Sequence, residues 1–131
     1  MNFNIDWSNN NVLITYSGVV GISDLFKISV KITNDPRYAS LQSVISDFVR
    51  VTILNISDKD IKEMSTLHVI PSILNPNLKF AIISNRAEFQ ESIFNYIDLM
   101  KVNEWQIKLF EHLDESREWI NQGEIFSSKK Q

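Results

Sequence analysis

Alternating hydrophobic and polar positions predict that the chain begins with a β-hairpin. Phe3, Ile5 and Trp7 alternate with polar residues, which is the period of a half-buried strand. The polar residues 8–11 then predict a turn, because asparagine tolerates left-handed backbone conformations. A second strand is predicted over Val12–Tyr16, antiparallel to the first.

Helical spacing of apolar residues predicts four helices. The first begins with Ser23 as its N-cap and ends at Asn34-Asp35-Pro36, because the residue before proline avoids the α region. The second opens at Ser57, the third is capped by Asn85 and the last by Asp114. The third has the clearest amphipathic pattern, with an apolar stripe formed by Phe89, Ile93, Tyr96, Ile97 and Met100.

Three further strands are predicted between these helices. They cover residues 43–48, the continuous apolar run 80–83, and the alternating positions Trp105, Ile107 and Leu109. A loop is expected around Ile73, between two prolines. The resulting order, β-β-α-β-α-β-α-β-α, predicts an α/β fold: a five-stranded mixed sheet with four helices, parallel except for the first hairpin.

Length and charge narrow the class of protein. The 131 residues suit one domain, predicted over 1–122, with a polar C-terminal tail over 123–131. The net charge of −3, with scattered basic residues, gives no indication of nucleic-acid binding. The chain has no signal-like start and no apolar run long enough to span a membrane, so a cytoplasmic location is expected.

Few residues are candidates for chemistry. Ser57 and Asp58 lie at the predicted start of the second helix, where capping and dipole compensation also explain them. Asp47 is predicted to end a buried strand at the carboxyl edge of the sheet, where open α/β folds bind ligands. His68 and His112 lack a third defined ligand, so no metal site is predicted.

The sequence provides no catalytic set and no cofactor motif. His68 would need a nucleophile and an orienting partner to act as a base, and the pattern favours a packed or half-exposed helical histidine instead. The glycine-rich turn of dinucleotide-binding folds is missing, because the chain has only three glycines. We therefore expect no enzyme activity and no cofactor.

The order of elements, together with several short motifs, resembles the STAS-like superfamily and most closely its SpoIIAA-like group. The similarity covers about residues 3–121. The matching motifs are Asp35-Pro36-Arg37-Tyr38, Asp47, Phe80-Ala81-Ile82-Ile83-Ser84, Phe94-Asn95-Tyr96, Ile107-Lys108-Leu109-Phe110 and Asp114-Glu115-Ser116-Arg117-Glu118-Trp119-Ile120.

The resemblance implies a bacterial-type regulatory domain, because members of the superfamily are mostly not enzymes and many bind partner proteins. In the anti-sigma antagonists a serine at the start of the second helix is phosphorylated. Laying 47–51 on their Asp-Leu-Ser-Gly-Val places Ser57 on that serine. Asp58 stands where they have glycine, and Asp60 adds a further carboxylate that would repel a phosphate.

Three functions follow as expectations. The first is a non-catalytic regulatory or protein-interaction module, with a protein partner or self-association. The alternative is a carrier of a small apolar ligand or lipid, which predicts an apolar cavity of roughly 300 Å³ or more between helices and sheet. The third is a phosphorylation switch at Ser57, which predicts an exposed hydroxyl.

Overall fold

The computed structural model describes the backbone of residues 2–130 and the side chains of residues 2–122. The strands are β1 Phe3–Ser8, β2 Asn11–Gly21, β3 Ser43–Asn55, β4 Lys79–Ile83 and β5 Gln106–Phe110. The helices are α1 Ile22–Thr33, α2 Asp58–Leu67, α3 Val69–Leu74, α4 Ala87–Met100 and α5 Leu113–Lys130, with a 3-10 turn over Pro36–Ser40. The predicted polar tail, 123–131, has its side chains outside the described residues, so the tail stays a prediction.

The five strands form one mixed sheet in the order β1-β2-β3-β4-β5. β1 is antiparallel to β2, whereas every other neighbouring pair is parallel. The fold predicted from the sequence is therefore confirmed. Asn9 has a φ of 54° in the hairpin turn, as expected for an asparagine in this position.

β2 and β3 continue well beyond their predicted ends. The pairing of β3 with β4 stops at Asp47, but β3 stays paired with β2 as far as Asn55. The β2–β3 register shifts on both sides of Gly18. Gly18 has a φ of 69°, a conformation that glycine adopts readily and that strains other residues. Gly18 therefore lies in an irregular stretch within a strand that is longer than the sequence predicted.

Several predicted helix starts are wrong by one or two residues. Gly21, not Ser23, is the N-cap of α1, and its N–H donates to the carboxylate of Asp24 at 3.0 Å. Arg86 rather than Asn85 precedes α4. In α5, Asp114 lies in the first turn instead of at the cap.

The stretch around Ile73 is a short helix, α3, and not a loop. It follows α2 after the single residue His68, which is both the C-cap of α2 and the N-cap of α3. Pro71 occupies the third position of α3, within the first turn, where its missing N–H is not needed for a helical hydrogen bond. The proline that suggested a break is therefore compatible with a helix start.

The sheet is covered on both faces. On one face α1, α2 and α4 enclose the larger core, into which α4 directs Phe89, Ile93, Tyr96 and Met100, confirming its predicted stripe. On the other face, Trp119 and other residues of α5 pack on a smaller core around β3 and β4. Within the part of the chain that the structure describes, no helix is both long and apolar enough to cross a bilayer, and the cytoplasmic location stays a prediction.

Candidate functional site

A cavity of about 130 Å³ lies inside the larger core, between the sheet and the helices α1, α2 and α4. The cavity occupies the position predicted for an apolar ligand, but it has less than half of the expected volume. No charged residue lines it. The lining is mostly aliphatic and aromatic, with Ile14, Ile28, Ile61, Met64, Phe80, Ile82, Ile93 and Trp105 among its residues.

Three polar side chains meet at the wall of this cavity, one from α1, one from the junction of α2 and α3, and one from α4. Nε2 of His68 lies 2.9 Å from the hydroxyl oxygen of Ser29, and Nδ1 of His68 lies 2.6 Å from the hydroxyl oxygen of Tyr96. All three residues line the cavity. The Ser29–His68–Tyr96 cluster is thus a continuous chain of hydrogen bonds across the helical layer.

Local sequence explains how each member of the cluster reaches the interior. Ser29 follows Ile28 on α1 and lies three residues before Ile32, so it borders the buried stripe of that helix. Tyr96 belongs to the buried stripe of α4. His68 lies where α2 ends and α3 begins, with its ring packed edge-on against Tyr96 and tilted against Trp105.

The cluster joins helices that otherwise pack on different neighbours. α1 packs mainly against β2, whereas α2 packs against α4. The Ser29–His68 hydrogen bond therefore links α1 to the rest of the helical layer beside the cavity.

Burial keeps the whole cluster uncharged at neutral pH. Loss of hydration lowers the pKa of His68 to about 4, because the buried imidazolium form is disfavoured. The same effect raises the pKa of the Tyr96 hydroxyl well above its usual value. The cavity wall is polar at this point but carries no charge.

The proton positions in the cluster follow from hydrogen-bond satisfaction. Tyr96 is buried, and Nδ1 of His68 is the only partner of its hydroxyl among the described residues. Tyr96 must therefore donate to Nδ1, because otherwise its proton would be buried without an acceptor. The neutral imidazole then carries its proton on Nε2 and donates it to Ser29.

The residues predicted as a ligand or switch site lie elsewhere. Ser57 is exposed at the N-cap of α2, where its Oγ accepts the N–H of Asp60 at 3.1 Å and its own N–H donates to the Asp60 carboxylate at 2.9 Å. Asp58 is exposed in the first turn of this helix. Neither residue lines the cavity. The exposed hydroxyl that a switch requires is present, and the switch itself stays a prediction.

Asp47 does not end β3, as the sequence suggested, because the strand runs on to Asn55. It is the last β3 residue paired with β4, and its carboxylate accepts the N–H of Val49 at 3.0 Å. This bond supports the backbone where β3 leaves β4. The ligand role of Asp47 stays a prediction, and the residue does not line the cavity.

His112 is exposed and does not take part in the His68 cluster. Over residues 2–122, no three histidine, aspartate or glutamate side chains lie close enough together to hold a metal ion. Sequence reasoning assigned His68 to core packing and missed its two partners. The available signal was the placement of uncharged polar residues on otherwise apolar helix faces, which predicts burial and therefore a hydrogen-bond partner.

Two solved structures have a fold similar to that of this protein. An uncharacterised protein of the DUF3478 family with a SpoIIAA-like fold, from Shewanella loihica PV-4, matches with a TM-score of 0.58 and 12% identity, over 90% of this chain and 91% of that one. The anti-sigma factor antagonist SpoIIAA in its unphosphorylated form matches with a TM-score of 0.54 and 12% identity, over 92% of this chain and 98% of that one.

The protein therefore has a SpoIIAA-like fold, as expected from its sequence. Neither a family model nor a curated protein matches the sequence. At 12% identity the two structures establish the architecture and leave function to be argued from the site.

Proposed function

We propose that the protein is a non-catalytic binding domain that takes up a small, mainly apolar ligand in the cavity beside His68. The observation that carries this proposal is an apolar space of about 130 Å³ whose polar wall groups are neutral. A cavity of about 150 Å³ with aliphatic and aromatic walls stays dry and binds benzene in another protein. The space therefore suits a ligand of about six or seven heavy atoms, well short of a long lipid chain.

Proton placement in the cluster supports a non-catalytic role. A serine nucleophile needs a histidine nitrogen that accepts its hydroxyl proton. In the Ser29–His68–Tyr96 cluster, Nε2 of His68 donates to Ser29, so it is not free to act as that base. No carboxylate lines the cavity to stabilise an imidazolium.

The test is a titration of the protein with benzene, monitored through its three tryptophan indole N–H signals by NMR. Trp105 lines the cavity, whereas Trp119 lies on the opposite face of the sheet. Trp7 belongs to the strand β1 and does not line the cavity. We expect a saturable shift of the Trp105 signal, with Trp7 and Trp119 as internal controls. Equal, non-saturating shifts of all three signals would contradict the proposal.

A second candidate function, protein interaction, is favoured by the outer surface of α3. Its Val69, Ile70, Ile73 and Leu74 are all exposed, whereas Pro71 and Ser72 point into the protein. An aliphatic surface on a short helix is typical of interaction sites. The structural neighbour SpoIIAA is an anti-sigma factor antagonist, which makes a regulatory interaction of this kind a reasonable proposal here.

Self-association through α3 provides a direct test of this second candidate. Sedimentation velocity over a range of concentrations should show a dimer whose dissociation constant rises at least tenfold in Ile73→Lys. Val102→Lys is the matched control, because Val102 is 88% exposed and lies outside α3. A protein that stays monomeric at all concentrations, or equal effects of both substitutions, would contradict self-association through α3.

A further inference from the structure

We infer that the cavity selects neutral ligands carrying one hydrogen-bond-accepting oxygen, which the hydroxyl group of Ser29 binds. This inference rests on the proposed function, because it names the class of ligand that the cavity would take. It depends on the single free proton in the Ser29–His68–Tyr96 cluster.

That free proton belongs to Ser29. Tyr96 donates to Nδ1 of His68, and Nε2–H donates to the hydroxyl oxygen of Ser29. The Ser29 hydroxyl therefore accepts one hydrogen bond, and among the described residues its side chain has no partner other than His68. Because Ser29 lines the cavity, its own proton remains available to a ligand there.

The bond from His68 also prepares Ser29 as a donor. A hydroxyl that accepts a hydrogen bond is polarised and donates more strongly, and the low local dielectric of the core increases this effect. The Tyr38 hydroxyl, which also lines the cavity, is already engaged, since it donates to the carbonyl of Pro71 at 2.8 Å. Ser92 also lines the cavity, but no described side chain donates to it, which makes it the matched comparison.

Ionic ligands are disfavoured because no charged side chain lines the cavity. The cavity has no lysine or arginine to balance an anion and no aspartate or glutamate to balance a cation. The nearest titratable ring, His68, is neutral at pH 7 because burial lowers its pKa to about 4. An unpaired charge in such a site is strongly disfavoured. A small ketone, aldehyde, ester or ether has an apolar body that packs against the cavity wall and one oxygen that accepts the proton of the Ser29 hydroxyl.

The experiment compares cyclohexanone with methylenecyclohexane, which has nearly the same shape but lacks the carbonyl oxygen. Affinities of both probes are measured by NMR titration for the wild type, Ser29→Ala and Ser92→Ala. We expect Ser29→Ala to reduce the ketone-to-hydrocarbon affinity ratio about two- to tenfold, the range for loss of one hydrogen bond. Ser92→Ala should leave the ratio unchanged.

Infrared spectroscopy of the wild type provides a second measurement that does not depend on the stability of a variant. The carbonyl stretch of bound cyclohexanone should lie at lower frequency than in hexane, as a hydrogen bond requires. If both probes bind with a ratio unaffected by Ser29→Ala, or if the stretch is unshifted, the inference is overturned and the proposed apolar binding stands. If neither probe binds, the proposed function and the inference both fail.

Discussion

The phenolic oxygen of Tyr96 lies 2.6 Å from Nδ1 of His68, within a core that is otherwise packed with aliphatic and aromatic side chains. This contact fixes the tautomer of the imidazole, and the tautomer in turn decides that Ser29 is a hydrogen-bond donor to the cavity. The chemistry of the cavity wall therefore depends on one pair of residues that are 28 positions apart in the sequence.

Tyr96→Phe should remove the proton donor of Nδ1 and leave a buried nitrogen unsatisfied. We expect the free energy of unfolding to fall by about 1–3 kcal/mol, the usual effect of leaving one buried polar group without a partner. Denaturant unfolding measures this loss, and ¹⁵N NMR of the imidazole should show that the tautomer fixed by Tyr96 is no longer enforced. Tyr38→Phe is the control, because it removes a different buried hydroxyl, the donor to Pro71, and should leave the His68 tautomer unchanged.

Stability should fall when the pH is lowered from about 6.5 to about 4. The folded-state pKa of His68, about 4, lies below its ordinary value of 6.5, so the unfolded chain binds more protons within this range. The contribution of His68 is complete above the unfolded pKa and is lost as the pH falls to the folded pKa. The total loss is about 3–4 kcal/mol, from about 1.4 kcal/mol for each unit of pKa difference.

Guanidinium unfolding at several pH values from 4 to 7 measures this dependence. His68→Gln should flatten the pH profile, whereas His112→Gln should retain it, because His112 is exposed. A steep profile in His68→Gln would show that another group causes the acid destabilisation.

Ser57 should behave as a helix cap in stability measurements. Ser57→Ala removes the acceptor for the Asp60 N–H and should cost about 1 kcal/mol. Ser57→Asn keeps a capping side chain and should cost less than about 0.5 kcal/mol. Ser65→Ala, later in α2, is the control and should have little effect, since alanine is a better helix former. Equal losses for Ser57→Ala and Ser57→Asn would contradict the capping role.

Asn75 should be essential for the packing between α3 and the 3-10 turn. Its buried side-chain amide donates to the carbonyls of Tyr38 at 3.0 Å and Leu41 at 2.7 Å, and its backbone carbonyl accepts the indole N–H of Trp105. Asn75→Ala should therefore cost about 2 kcal/mol, because the Leu41 carbonyl loses its only donor among the described residues and the Tyr38 carbonyl keeps only the N–H of Leu41. Thermal and denaturant unfolding measure this change.

Asn95→Ala is the matched control for that substitution. Asn95 is exposed on α4, where alanine has the higher helix propensity, so the variant should be as stable as the wild type or slightly more stable. A loss at Asn95 equal to that at Asn75 would contradict the role given to the Asn75 amide.

The sequence alone determined the elements whose burial has a regular period. The α4 stripe ending at Met100, the opening hairpin and the β-β-α-β-α-β-α-β-α order were all predicted correctly, because the period reports which side of a helix or strand is buried. Element ends were less well predicted. Gly18 looks like the end of a strand, but β2 continues past it because it stays paired with β3. Pro71 looks like a helix break, but α3 contains it because proline is tolerated in the first turn of a helix.

Only the tertiary structure decided the site. Ser29 lies on α1, His68 at the junction of α2 and α3, and Tyr96 on α4, and no spacing along the chain relates them to one another. Their meeting depends on how α1, α2 and α4 are placed over the sheet, and therefore on packing between residues far apart in sequence. Periodicity predicts that a polar side chain on an apolar face is buried, but it does not identify the group to which that side chain is bonded.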